Sequence, residues 1–442
     1  MISRVLSWMA PVAAFVVLAW RQLRFIDRYA VNVLFFDQWG FYYPLFHGQS
    51  WWETFDRRHG PHRQGIGLVL TRILANLTGW NSRGDAFAVG AAIIGAAVLA
   101  LFLIKLCGNR AGFAAALAVP VLFFNVHQFE GFVGASNLSH GAMPIFLLMA
   151  FSVACFMGRP GWRLAVLSVL TFLLIFTGFG LFAGLLAPLL FAVEGVQAFR
   201  AGDRHHALLA AAAFASVLVS WAFFAHGYVF DPAIPNFRFP YERPLQYPVF
   251  VGRMLVNLFG WARLSAAQAI VGMALACALV AVCVRHGWRC LRFGILNERR
   301  SAVLFFLTAY ELLYCANNAL GRVMLGDAAP LASRYVTLVI PAGLVIVLEL
   351  SALRRGRAAF WCCLIFAAAI APGDLVMRTD EMDLVHWYYN FRSSWKAAYL
   401  ATHNQQEANR RAHFSMYPVP LTFELSYLEE HHLNLFKPES GP

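Results

Sequence analysis

Acidic side chains are scarce in this chain, so each one set among apolar or basic neighbours is a candidate for chemistry. Asp37 is the first, alone in VNVLFFDQWGFYYPLF (31–46). A carboxylate in such company is expected to be partly desolvated, which raises its proton affinity and suits a general base; the alternative is that Asp37 caps a helix beginning near Trp39. Close behind it, RRHGPHRQG (57–65) crowds Arg57, Arg58, His59, His62 and Arg63 into nine positions. Guanidinium groups keep their charge and match phosphate oxygens with a fork of donors, so the cluster reads either as an anion site or as a solvated surface. Glu130 is the acid of NVHQFEGFVGASNLSHG (125–141), where the plain reading is a solvated loop carboxylate. In AYELLYCANNALGRVMLGDAAPLASRYVTLVIP (309–341), helical spacing puts Glu311, Tyr314, Asn318 and Arg322 on one face, and Arg334 with Tyr335 starts the next helix. An intramembrane glutamate is expected to face a protein interior or a cavity. Arg322 and Arg334 then meet at one rim, ready for a phosphate, unless Arg322 pairs with Asp327 instead. His59 and His62 have a spacing that zinc can use, but HGPH supplies no cysteine and no clear third ligand, so no metal site is expected.

The elements that must hold these residues are membrane helices. The 442 residues are 60% hydrophobic and only 13% charged, whereas a soluble domain carries about a quarter charged residues. Runs long enough to cross a hydrocarbon core of about 30 Å predict eleven helices, near 5–20, 85–105, 113–126, 141–157, 164–177, 181–198, 207–226, 265–284, 301–318, 335–350 and 358–371. The glycines of FTGFGLF (176–182) split one overlong run into a hairpin. The fold class is therefore all-α, a polytopic transmembrane bundle with amphipathic helices in its outer loops, one of them IGLVLTRILANLTGW (66–80). Residues 1–371 form the membrane domain. Residues 372–442 form a small outer cap, with an amphipathic helix over 383–403 and a proline-interrupted segment over 417–436.

Orientation follows from arginine and lysine in short loops. Arg4, Lys105, Arg110, Arg159, Arg163, Arg200, Arg204, the Arg285–Arg300 group and Arg354, Arg355 and Arg357 alternate with turns 127–140 and 178–180, which carry neither. This places the N-terminus in the cytoplasm and the long segments 21–84, 227–263 and 319–334, with the tail, outside. The N-terminal apolar stretch reads as a retained first helix, because no small-residue cleavage site precedes Arg21. All eight cysteines fall in helices or inner loops, so no disulfide framework is expected on the outer face.

Taken together, the early outer-loop acid (Asp37), the basic His62-Arg63 turn before an amphipathic helix, the second-loop acid (Glu130) and GRVMLGDAAPLASRY before a late helix resemble the GT-C superfamily of polytopic glycosyltransferases. That resemblance implies a sugar donor carried on polyprenyl phosphate, a glycan or lipid acceptor and a bacterial inner (cell) membrane location. It implies Asp37 and Glu130 as catalytic acids. Donor phosphate would be held by Arg57, Arg58, His62, Arg63, Arg322, Arg334 and Tyr335, with Glu311, Tyr314 and Asn318 as a polar stripe beneath. Many members have an Asp-Glu pair where this chain has Asp37-Gln38, and metal-dependent members gather more acids, so the expectation is a metal-independent enzyme without cofactor. No phosphate-cradling glycine loop is present, and energy would come from the donor. Partners besides the donor and acceptor are membrane lipids, not nucleic acid. The reading kept beside this one is a flippase or transporter of a lipid-linked sugar or other anion, or an O-antigen polymerase or ligase.

Overall fold

A hydrocarbon-embedded backbone has no water to bond to, so the apolar runs satisfy their own amides as helices. The computed structural model describes residues 2–229, 237–261 and 264–437, which leaves parts of the 227–263 segment and the end of the tail outside the described residues. A helix stands at each of the eleven expected places. Eight are long and apolar enough to cross a membrane, among them Ser82–Leu106, Arg204–Ala225, Ala266–Phe293 and Gly356–Gly373. Phe113–Phe123, Met143–Ala154 and Pro160–Ile175 have 11, 12 and 16 residues, short of the roughly 20 needed. The expectation of eleven spanning helices thus becomes eight of spanning length among the described residues, with three shorter helices packed among them.

The loops sort into two groups at the two ends of the bundle. At one end the Gly178–Gly180 turn joins Pro160–Ile175 to Leu181–Arg200. Gly178 has φ +50, and a Cβ there would lie 2.0 Å from the Ser139 carbonyl oxygen; only glycine lets this turn touch the 138–142 turn. Gly65 (φ +54) similarly brings the start of the Gly65–Thr78 helix against the Phe176 carbonyl, at 2.4 Å from a notional Cβ. Before it, β1 (Arg58–His59) and β2 (His62–Arg63) pair antiparallel, with Arg58 opposite Arg63 and His59 opposite His62. Gly60, at φ +56, takes the positive φ that the first central residue of a two-residue hairpin demands.

The tail folds as Thr379–Thr402, Gln405–Ala412 and Thr422–Glu430. It covers this same end, which we call the cap end. Val33, Leu34, Trp39, Tyr42 and Phe46 share a core with Phe391, Trp395, Tyr399 and Leu425 of the tail, separate from the main core of the bundle. Arg392 pins the two together. Buried, it donates to the carbonyls of Val31 (2.8 Å) and Val33 (2.7 Å) and to those of Val133 (2.9 Å) and Gly134 (3.3 Å), and burial lowers its pKa to about 10. Arg392→Met strands those carbonyls, so it is expected to cost the cap about 1–3 kcal/mol, the scale of buried acceptors left unsatisfied. The check is amide hydrogen exchange across 379–402: faster exchange there, with the bundle helices unchanged, is the expected result, and unaltered protection would show that the pin is dispensable.

At the opposite end, here the far end, Arg163 and His206 converge on Glu194. Arg285, His286 and Arg300 converge on Glu349. Arg110 binds the 351–354 turn, its amide 2.9 Å from the Ser351 oxygen.

Candidate functional site

The short helix Asp37–Phe41 begins just after Phe36, whose φ is 49. Its neighbour Gln38 does the fold's work: Gln38 Oε1 accepts from the Phe35 amide at 3.0 Å and Nε2 donates to the Ser136 carbonyl at 3.2 Å. Asp37 is thereby left out of the local bonding and makes no capping hydrogen bond. Its side chain is 50% exposed, and its carboxylate lies 3.6 Å from His59 Nε2. Both expectations for Asp37 need correction: it is not desolvated by its apolar neighbours, which turn inward around Gln38, and it does not cap a helix. What remains is an exposed carboxylate–imidazole pair.

From His59 the aromatic contacts lead inward. Its ring packs on Phe41 at 4.7 Å and faces His140 at 5.8 Å; His140 lies 6.0 Å from His62, which packs on Phe179 at 4.3 Å. Gln64 Nε2 lies 3.1 Å from His140 Nε2, and Asn137 Nδ2 donates to Gln64 Oε1 at 3.1 Å. The β1–β2 hairpin, the 138–142 turn and the Gly178–Gly180 turn therefore meet around three imidazoles. Burial, reinforced by the charge of Arg322 and by His59, holds the His62 pKa down at about 3. The ring is neutral at physiological pH, and its buried Nδ1 has no partner among the described residues.

Arg322 closes the cluster. Its guanidinium lies over Tyr335 (5.3 Å to the ring centre) and Phe179 (6.0 Å) and donates to Asn318 Oδ1. The alternative pairing with Asp327 is not made, because Asp327 bonds Arg253 at 2.8 Å. Tyr314 and Tyr335 are both buried; the Tyr314 hydroxyl has no partner among the described residues, the Tyr335 hydroxyl faces the Arg334 guanidinium, and Tyr314 packs on Phe179 at 5.2 Å. Buried hydroxyls are normally bonded, so an unbonded Tyr314 hydroxyl close to an arginine without a carboxylate among the described residues is a departure that a ligand oxygen would remedy. Below them the stripe of Glu311, Tyr314 and Asn318 is fully buried in the bundle. Glu311 Oε1 accepts from the Cys315 thiol at 3.1 Å.

Other expected residues do different work. Glu130 is a fastener: Oε2 accepts from the Arg334 amide (3.0 Å), Oε1 accepts from the Tyr388 hydroxyl (3.3 Å), and its own amide donates to Ser333 Oγ (3.0 Å). It ties the second loop to the 333–335 turn and to the tail, and so does not present a free carboxylate for catalysis. Arg63 is buried and spends all five N–H donors on the carbonyls of Phe224, His226 and Asp56 and on the Asp56 carboxylate. Nothing is left for a phosphate, so its expected role is replaced by that of a pin between the hairpin and the end of Arg204–Ala225. Arg57 stacks on Tyr43 at 4.3 Å, turned to the cap core, and burial lowers its pKa. Arg58 is exposed beside them. Arg334 is exposed, with its guanidinium 5.4 Å from the centre of the Tyr335 ring.

Sequence reasoning missed His140, Phe179 and Gln64 as parts of the cluster; the one signal available was a histidine in the second outer loop. Among the described residues, no three His, Cys, Asp or Glu side chains are disposed to hold a metal ion. Chemically the cluster offers a solvent-facing proton acceptor, Asp37 with His59, linked through imidazoles to an anion-seeking group of Arg322, Tyr314 and Tyr335. Comparison of the chain with protein-family models, with curated proteins and with solved structures finds no match.

Proposed function

We propose that this multi-pass membrane protein is a glycosyltransferase of GT-C type, moving a sugar from a polyprenyl-phosphate carrier to a glycan or lipid acceptor at the extracytoplasmic face of a bacterial inner membrane. The observation that carries this reading is Arg322, which has no carboxylate partner among the described residues, beside the buried hydroxyls of Tyr314 and Tyr335 and contiguous with the exposed Asp37–His59 pair. In this scheme residues 1–371 are the catalytic membrane domain and 372–442 the cap. The acceptor hydroxyl gives its proton to Asp37, with His59 alongside. The acceptor oxygen bonds the anomeric carbon as the bond from that carbon to the phosphate oxygen breaks, and the electron pair leaves on the lipid phosphate. Arg322 meets the charge that develops there, a term worth about 2.7–4 kcal/mol per well-aimed donor. Tyr314, Tyr335 and neutral His62 complete the shell, and Arg334 lies at its rim.

A carrier reading draws on a different observation, the carboxyl group of Glu311 fully buried inside the bundle with no cation partner among the described residues. The two separate in one experiment on the purified full chain, given a panel of polyprenyl-phosphate sugars and acceptors in detergent and, in parallel, reconstituted into vesicles. Sugar transfer in detergent is the expected result. Transbilayer movement of the lipid-linked sugar with no transfer would replace the enzyme by a carrier.

A further inference from the structure

The far end of the bundle carries two groups of cations. In one, some arginines meet carboxylates: Arg285 and Arg300 share Glu349, and Arg289 holds Glu298 at 2.6 Å, while Arg292 and Arg299 meet none among the described residues. In the other, the turn after Ser82–Leu106 meets the turn before Gly356–Leu375. The Arg110 amide donates to the Ser351 carbonyl at 2.9 Å, and its guanidinium to that of Arg354 at 3.4 Å. This junction brings Lys105, Arg110, Arg354, Arg355 and Arg357 to one exposed edge. None of the five has a carboxylate partner among the described residues. Segments 100–115 and 350–373 contain no aspartate or glutamate, and the neighbouring Glu349 is taken by Arg285, His286 and Arg300. The 20-residue helix that starts at Gly356 has no side-chain cap on its first amides, which adds the positive end of its dipole to the same edge. Beneath these cations the two helices present exposed apolar side chains: Phe102 and Leu106 on one, Trp361 (58% exposed) and Ile365 on the other.

We propose that this edge is a binding site for an anionic phospholipid, with the headgroup phosphate among Arg110, Arg354, Arg355 and Arg357 and the acyl chains along the Phe102 and Trp361 flanks. The positive-inside bias accounts for basic residues at this end; what marks this edge is that all five of its cations lack a carboxylate among the described residues and lie over exposed apolar side chains of two helices. Basic clusters at helix ends, flanked by apolar surface, are what anionic headgroups select. A phosphate on a lipid has the acyl chains that this edge accommodates, whereas free phosphate does not. This site is independent of the cap-end chemistry, so either can fail without the other.

The test uses the purified full chain with phosphatidylglycerol, phosphatidylcholine and inorganic phosphate as probes, read by lipid retention in native mass spectrometry and by thermal unfolding. Wild type is expected to retain and be stabilised by phosphatidylglycerol over phosphatidylcholine. Arg354→Gln/Arg355→Gln/Arg357→Gln is expected to weaken phosphatidylglycerol binding by at least about tenfold. Arg200→Gln/Arg204→Gln/Arg292→Gln, which removes the same charge elsewhere on this end, is expected to retain it. Equal retention of both lipids by wild type, an equal loss in the control variant, or full stabilisation by inorganic phosphate alone would overturn the proposal. If the triple variant fails to fold, Arg357→Gln titrated against the same lipids serves in its place: weaker phosphatidylglycerol binding supports the site, and unchanged binding overturns it.

Discussion

Arg322→Lys is expected to lower sugar transfer by roughly 10²–10³-fold, the cost of a lost transition-state donor, with expression and thermal stability close to wild type. Lysine keeps the charge but loses the planar fork that can hold two phosphate oxygens at once. Arg322 is suited to this test because it has no carboxylate to strand among the described residues: its side-chain partner is Asn318 Oδ1, and its guanidinium lies over Tyr335 and Phe179. Arg63 is the natural contrast. Its donors all go to protein acceptors, so Arg63→Lys should act through stability, not through the donor phosphate. Transfer measured at saturating and limiting donor, beside unfolding curves, separates the two effects. Undiminished transfer in Arg322→Lys would make Arg322 a structural residue.

The contrast between Arg63 and Arg322 also shows where sequence reading ends. Both are arginines at the cap end, Arg63 in β2 and Arg322 in the last turn of the Arg299–Arg322 helix, and residue type does not tell their roles apart. Arg63 is claimed by carbonyls 161 and 163 residues away, at Phe224 and His226, a fact of tertiary packing that residue type does not encode. The helices were legible because the bilayer imposes length and composition on every crossing segment, and the glycine hairpin at 176–182 was legible because Gly178 needs its positive φ. Three helices proved shorter than a span because apolar composition alone does not distinguish a crossing helix from one buried among others. The division of labour between Asp37 and Gln38 was hidden for a related reason: either side chain can cap or brace a turn, and the choice of Gln38 depends on the Ser136 carbonyl reaching it from the second loop. Glu130 looked like a candidate acid until Arg334 and Tyr388, more than 200 residues on, claimed its oxygens. The tail core was legible only as amphipathic segments, since Arg392 is unremarkable in the sequence and becomes a pin through carbonyls of two separate loops.

Asp37→Asn is the measurement on which the enzyme reading turns, because a carrier and a transferase would both bind lipid phosphate and only the transferase needs a base. Asparagine preserves size and leaves the Gln38 bonds that shape this turn untouched, so the fold and the Arg322 group should persist. Binding of polyprenyl phosphate is therefore expected to match wild type while transfer falls by roughly 10²–10⁴-fold, the range for a lost general base. Equal transfer by Asp37→Asn and wild type, at equal binding, would contradict the account.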